Sequence, residues 1–174
     1  MQAQGQDIVG EARLIDAMAG RGSRILDAGC GPGRHGGYLH NAGHTVVGVD
    51  GDPVLIEAAK ADYPGPTWLV SDLSQLDLPA QGVPEKFDLI LCAGNVVTFL
   101  HPSTRQIVLK KFAEHLAPQG RAVIGFGAGR DYEFSDFRSD AAAAGLREDV
   151  LLSTWDLRPF TPTSDFLVAV LSRP

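Results

Sequence analysis

Two patterns alternate along the chain: short apolar runs closed by an acidic residue or by glycines, and longer segments in which apolar residues recur at helical spacing. Runs of the first kind read as buried parallel strands and the second as amphipathic helices, so their alternation predicts βαβ units. The strands expected are 24–28, Thr45 to Asp50, Thr67 to Val70, Phe87 to Cys92 and Arg121 to Phe126. A helix from about Arg34 to Asn41 follows the first, and a second opens with Asp52 as N-cap and Pro53 at its first position, running to Tyr63. A third begins near Ser103, where Ser103 and Gln106 have the spacing of a capping box, with Val108, Phe112 and Leu116 along one face. Ser135 is the expected cap of a fourth, which Gly145 ends after the Ala141 to Ala144 run. Upstream, Asp7 is the expected cap of a helix with Ile8, Ala12, Ile15 and Ala19 on its apolar face.

The last two strand-like segments, 147–155 and 166–172, are joined by a Pro- and Thr-rich loop. A parallel crossover needs a dozen or more residues, so these strands are expected to be antiparallel neighbours. The predicted fold is an α/β three-layer sandwich: a seven-stranded, mostly parallel sheet with one antiparallel strand near the C-terminus.

At 174 residues, one domain spanning 1–174 is expected, with 1–22 contributing a helix that edges the core. No apolar run approaches the roughly 18 residues of a membrane span. The first residues, Met1 to Gln6, lack the basic start and apolar core of a signal peptide, so a cytoplasmic location is expected. The net charge of −6 and the scattering of 15 Lys and Arg speak against a nucleic-acid partner. Two cysteines without metal-ligand spacing argue against structural zinc and a disulfide framework, and no metal is expected.

Chemistry concentrates where the first strand ends, at Asp27-Ala28-Gly29-Cys30-Gly31-Pro32-Gly33-Arg34-His35-Gly36. Glycines let a ligand approach the backbone and leave the next helix's first N–H groups exposed. Two registers overlap: Asp-x-Gly-x-Gly-x-Gly from Asp27, and the dinucleotide pattern G-x-G-x-x-G from Gly31. A dinucleotide turn starts directly at the strand end, whereas Gly31 lies well beyond Leu26, so the first register fits the strand better.

In that register the chain resembles the class I S-adenosylmethionine-dependent methyltransferases. Asp27 to Gly33 resembles that family's first motif, Val47-Gly48-Val49-Asp50 its acidic second-strand end, Ser71-Asp72-Leu73 its adenine-side segment and Phe87-Asp88-Leu89-Ile90 its fourth strand. The turn Leu116 to Arg121 resembles the one before its fifth strand, and the family's sheet also ends in a reversed strand. The resemblance implies S-adenosylmethionine as cofactor, S-adenosylhomocysteine as product, and a cofactor site of Asp27, Gly29, Cys30, Gly31, Gly33, Asp50, Gly51, Asp72, Leu73, Ala93 and Asn95. Asp50 would accept from both ribose hydroxyls, while Asp72 and the Leu73 backbone would meet the adenine amino edge. Gly51 stands where the family more often has a bulky residue against adenine, a loss on the order of 1 to 3 kcal/mol of packing.

Displacement at a sulfonium needs alignment and a dry site more than a base. Should the acceptor require deprotonation, His101, His35, and Asn95 with Tyr132 are the candidates; Arg130, Arg158, Trp155 and Phe160 are candidate contacts for a small-molecule acceptor. The segment Trp155 to Thr161 would form a lid. No Asn/Asp-Pro-Pro-Tyr segment follows the fourth strand, where Ala93-Gly94-Asn95-Val96 stands, which disfavours amino methylation of bases or glutamine. The alternatives are an NAD-dependent oxidoreductase, which would share the glycine turn and Asp50, and a non-catalytic S-adenosylmethionine-binding module; a homodimer is left open. Bland roles are expected for Asp88 as a structural residue, for Cys30 and Cys92 as small fillers, and for His40 and His44 as solvated residues.

Overall fold

The computed structural model describes residues 8–174; the expected Asp7 cap and the segment read for a signal peptide lie outside them. Strands β1 (Arg24–Ala28), β2 (Thr45–Asp50), β3 (Thr67–Val70), β4 (Phe87–Cys92), β5 (Leu116–Gly127), β6 (Arg147–Leu152) and β7 (Phe166–Ser172) form one sheet. Its order is β3-β2-β1-β4-β5-β7-β6. The pairings among β1 to β5 are parallel, and β7 runs antiparallel between β5 and β6. The strand order reverses between β1 and β4, which puts the switch point of an open α/β sheet beside the glycine turn.

Among the described residues five α-helices cover the sheet: α1 (Gly10–Met18), α2 (Arg34–Asn41), α3 (Pro53–Asp62), α4 (Arg105–His115) and α5 (Phe134–Ala143). Alternate strand residues feed opposite faces. Ile25, Val46, Leu89 and Val123 pack with Ala12 and Ile15 of α1 and Leu39 of α2, whereas Leu26, Val47, Ile90 and Ile124 pack with Val108 and Phe112 of α4 and Phe137 of α5. The β3–β4 connection carries two short 3₁₀ turns, Leu73–Gln75 and Pro79–Gln81. His115 secures it: its Nε2 accepts from the Leu78 amide at 3.2 Å while Nδ1 donates to the Lys111 carbonyl at 2.7 Å. Asp52 caps α3 as expected, accepting from the Val54 amide at 2.9 Å.

Several local expectations are corrected. Ser103 and Gln106 form no capping box; His101 accepts the Ser103 amide at 3.2 Å ahead of a 3₁₀ turn, and Gln106 reaches Asp140 at 3.0 Å. Ser135 lies inside α5, with Glu133 at its N-cap. The Ala117 to Gly120 turn is a bulge within β5, since Phe87 pairs with Leu116 but Leu89 with Arg121. His44 is buried instead of solvated, accepting from the Ser23 amide at 3.2 Å and meeting Asp16 at 2.7 Å. Asp88 has the structural role expected of it, accepting the Arg24 amide at 2.8 Å. Among the described residues, no helix is long and apolar enough to cross a membrane, and no group of metal-binding side chains occurs.

Candidate functional site

The glycine turn owes its shape to three separate constraints. Gly29 has φ +75 and faces Val96 so closely that a Cβ would collide with it, which holds the turn against the end of β4. Gly33 and Gly36 are backed by the Trp68 ring, and so is Gly48 of β2. Trp68 is buried and its indole N–H donates to the Tyr63 carbonyl at 2.9 Å. The glycine spacing that imitates a dinucleotide fingerprint therefore serves in part to seat an indole. Gly31 differs: it has φ +53, and a Cβ there would meet nothing within 4 Å, so its backbone stands open to a ligand.

Two carboxylates fix this loop. Asp50 Oδ2 accepts the Gly31 amide at 2.9 Å and Oδ1 accepts the Asp52 amide at 2.9 Å, so one side chain ties the glycine turn to the head of α3. Asp27 is buried beneath the turn, where its Oδ2 accepts the Gly36 amide at 3.2 Å in the first turn of α2. Burial pushes its carboxyl up to about 6, with Asp50 adding to the rise while His35, the Gly36 amide and Arg34 oppose it. Burial raises both cysteine thiols, with Asp27 adding to each, so neither is a ready thiolate.

A cavity of about 390 Å³ opens over the loop, lined by Gly29, Cys30, Gly31 and Ala93 among the expected cofactor residues, and also by His35, Gly94 and Val96. Asp27 and Gly33 lie behind it as supports. Asp50, Gly51, Asp72 and Leu73 form an adjoining shelf where β2 and β3 end, with Asp50 paired to Val70 and the Ser71 amide donating to the Asp50 carbonyl at 3.0 Å. Asp72 is exposed, using Oδ1 to accept from the Ser74 amide and hydroxyl, each at 2.8 Å. Leu73 is buried in the core.

Among the candidate bases, Tyr132 is corrected: it is 2% exposed, stacks with Phe126, and donates its hydroxyl to Asp140 at 2.6 Å. Burial and Asp140 raise its hydroxyl, and its ring packs within the core. Asn95 is a tie instead of a free acid or base, its Oδ1 accepting the Gly127 amide at 2.8 Å and joining the ends of β4 and β5. His101 is exposed, with Nδ1 engaged by the Ser103 amide and hydroxyl. His35 meets Glu11 at 3.3 Å, a pairing with a residue that the sequence had not singled out.

On the acceptor side, Arg130 and Arg158 are exposed, whereas Phe160 is half-buried against Phe134 at 5.5 Å, an ordinary rim contact. Trp155 lies over Gly125, whose missing side chain makes room for the indole. The expected lid is a tight return onto β6: the Ser153 amide donates to the Arg158 carbonyl at 2.8 Å and the Phe160 amide to Leu151 at 3.2 Å. Trp68, Tyr63 and Glu11 were missed. Only the cluster of glycines at 33, 36 and 48 hinted that a large ring needed space.

An open glycine backbone, an acidic second-strand end beside it and a seven-stranded sheet with β7 reversed define a nucleoside-cofactor-binding fold of the methyltransferase type. A family model described as "Methyltransferase domain" matches residues 25–120. The chain belongs to the class I S-adenosylmethionine-dependent methyltransferases, and S-adenosylmethionine is its cofactor. It is 51% identical to a solved TehB-like SAM-dependent methyltransferase from Corynebacterium glutamicum, covering 99% of this chain and 92% of that one with a TM-score of 0.93. It is also 30% identical over 114 residues to an uncharacterized methyltransferase of Oceanobacillus iheyensis, 64% of this chain and 50% of that one. A shorter match, 38% identical over 62 residues, is to the mouse 18S rRNA (guanine-N(7))-methyltransferase, 36% of this chain and 22% of that one. The chain thus spans half or less of the length of these curated relatives. The open backbone at Gly31 and the half-exposed Asp50 carboxylate beside it fit the cofactor's chemistry, the first giving it room to approach and the second keeping lone pairs that can accept from hydroxyls.

Proposed function

We propose that the chain transfers a methyl group from S-adenosylmethionine to a small-molecule acceptor at the carboxyl edge of its sheet, acting as a single cofactor-binding unit. The observation that carries this reading is the Asp50 carboxylate, held at the end of β2 by the Gly31 amide beside the loop cavity. The bound cofactor supplies an already activated methyl group, so alignment and exclusion of water contribute most of the acceleration. Asp50 holds the ribose hydroxyls, and Gly31 lets the backbone approach the methionine half. Asp72, whose Oδ1 is taken by Ser74, and the Leu73 amide meet the adenine edge. Asp27 positions the loop from beneath. His101 and His35 are the remaining candidate bases, because His101 Nε2 and His35 Nδ1 have no hydrogen-bond partner among the described residues.

A small acceptor is favoured over nucleic acid by the charge of the surface. A phosphate-tracking face needs clustered cations, whereas this chain carries a net charge of −6 with 15 scattered Lys and Arg. An acceptor screen scored by S-adenosylhomocysteine release tests the reading. Turnover with a small amine, alcohol, thiol or carbon acid supports it; release only with RNA, or silence across all classes despite tight cofactor binding, contradicts it.

A further inference from the structure

Glu11 and His35 meet across the boundary between two cavities. His35 lines the cavity over the glycine loop. Glu11 lines a second one, of about 490 Å³, between α1 and the β6–β7 connector. Their side chains are 3.3 Å apart, Glu11 Oε2 to His35 Nε2, with Arg34 Nη2 also 3.3 Å from that nitrogen, so this pair is the wall that the two spaces share. Gly10 and Glu11 at the start of α1, and Trp155 to Leu157 just beyond β6, place one end of the second cavity at the carboxyl edge of the sheet, and Ala17 lines it further along α1.

The second cavity has the make-up of a ligand site, with apolar sides and few polar groups. Leu14 and Ala17 of α1 form one side and Trp155, seated over Gly125, forms the other. Its charged groups are the carboxylates of Glu11 and Asp156 and the guanidinium of Arg13, an excess of acid over base. Burial works to raise the Glu11 carboxyl, but the His35 hydrogen bond, its own backbone amide and the charges of His35 and Arg34 outweigh it, leaving Glu11 below the usual carboxylate range. A half-buried carboxylate opposite an indole selects for a cation on an apolar body, through a charge-assisted hydrogen bond and a cation–π contact. The chain's net charge of −6 draws such a ligand in.

We propose that this second cavity is the acceptor compartment and that it takes a compact apolar amine, with the amino group towards Glu11 and the hydrocarbon body against Trp155. The proposal rests on the methyltransferase reading above. Glu11 and Trp155 are specificity-determining residues, and the Glu11–His35 wall sets how close the amine stands to the glycine-loop cavity.

The test titrates the full chain with 2-phenylethylamine, 2-phenylethanol and phenylacetate, following calorimetric heat and tryptophan fluorescence with and without S-adenosylhomocysteine. Trp68 is buried behind the glycine loop and Trp155 borders the cavity, so Trp155→Phe assigns the optical signal. The amine is expected to bind most tightly, and Glu11→Gln to weaken it by about 10-fold or more, the scale of one lost charge-assisted bond. Trp155→Leu is expected to weaken all three aromatic probes, while S-adenosylhomocysteine affinity in both variants stays within about 3-fold of wild type, a readout that misfolding would not spare. Tighter binding of phenylacetate than of the amine, or amine binding indifferent to both substitutions, overturns the proposal. Absence of amine binding by a chain that does bind S-adenosylhomocysteine overturns the proposal alone; failure to bind S-adenosylhomocysteine at all overturns the functional reading together with it.

Discussion

Asp50 Oδ2 accepts the Gly31 amide at 2.9 Å, so the residue expected to hold the ribose also holds the loop expected to hold the methionine half. Cofactor affinity and loop order are therefore coupled through one carboxylate. Asp50→Ala is expected to weaken S-adenosylhomocysteine binding by about 1.5 to 3 kcal/mol, the range for losing hydrogen bonds to a charged group. Asp50→Asn keeps one acceptor oxygen and is expected to lose less. Calorimetry on both variants checks the order; equal affinity in wild type and Asp50→Ala would refute it.

Gly48 and Trp68 form a second such pair, because a Cβ at Gly48 would enter the space of the indole. Gly48→Ala is expected to cost about 1 to 3 kcal/mol of stability through overpacking. In a Trp68→Leu background the same substitution should cost less, giving a coupling energy of at least about 0.5 kcal/mol in a double-mutant cycle read by urea unfolding. Additive costs would mean that the indole is not what excludes the side chain.

Asp27 imposes a pH dependence of definite sign. Its carboxyl moves from an ordinary 3.8 to about 6 on folding, so the folded chain binds the proton more tightly than the unfolded one. The stability this contributes is present below the unfolded value and is lost as pH rises through the folded one. Relative to Asp27→Asn, wild type is expected to lose on the order of 3 kcal/mol between roughly pH 4 and pH 6.5 and to run parallel above that. Urea unfolding across this range measures it, and parallel curves throughout would contradict the buried carboxyl.

Gly51 offers a gain. Its φ lies outside the left-handed region and a Cβ would meet only the Ser71 carbonyl, at 3.9 Å, so a side chain fits there without strain. Gly51→Leu is expected to tighten S-adenosylhomocysteine binding by about 1 to 3 kcal/mol by covering one face of the adenine. Weaker binding in calorimetry would show that the adenine lies elsewhere.

The parts of this fold legible in the sequence were those decided locally. The bounds of β2, β3 and β4 follow from apolar runs that stop at polar or turn residues, and Asp52-Pro53 starts α3 by cap chemistry contained within a few residues. What escaped was decided by partners distant in sequence. Gln106 leaves its expected capping box because Asp140 of α5 is within reach, and His44 is buried because Ser23 and Asp16 satisfy both ring nitrogens. Tyr132 looked like a site residue beside the β5 end, but the Phe126 and Phe137 rings and the Asp140 carboxylate draw it into the core. In the site, Asp50 and the glycine turn stood out, because an acid ending an apolar strand beside three glycines has little purpose in packing. The pairing of Glu11 with His35 spans separate elements, and no spacing rule links them.

The most direct measurement is a calorimetric titration of the chain with S-adenosylmethionine, S-adenosylhomocysteine and NAD in parallel. Saturable binding of both sulfur compounds, lost or weakened in Asp50→Ala, with no response to NAD is the predicted result. Tight NAD binding with no response to either sulfur compound would contradict the account.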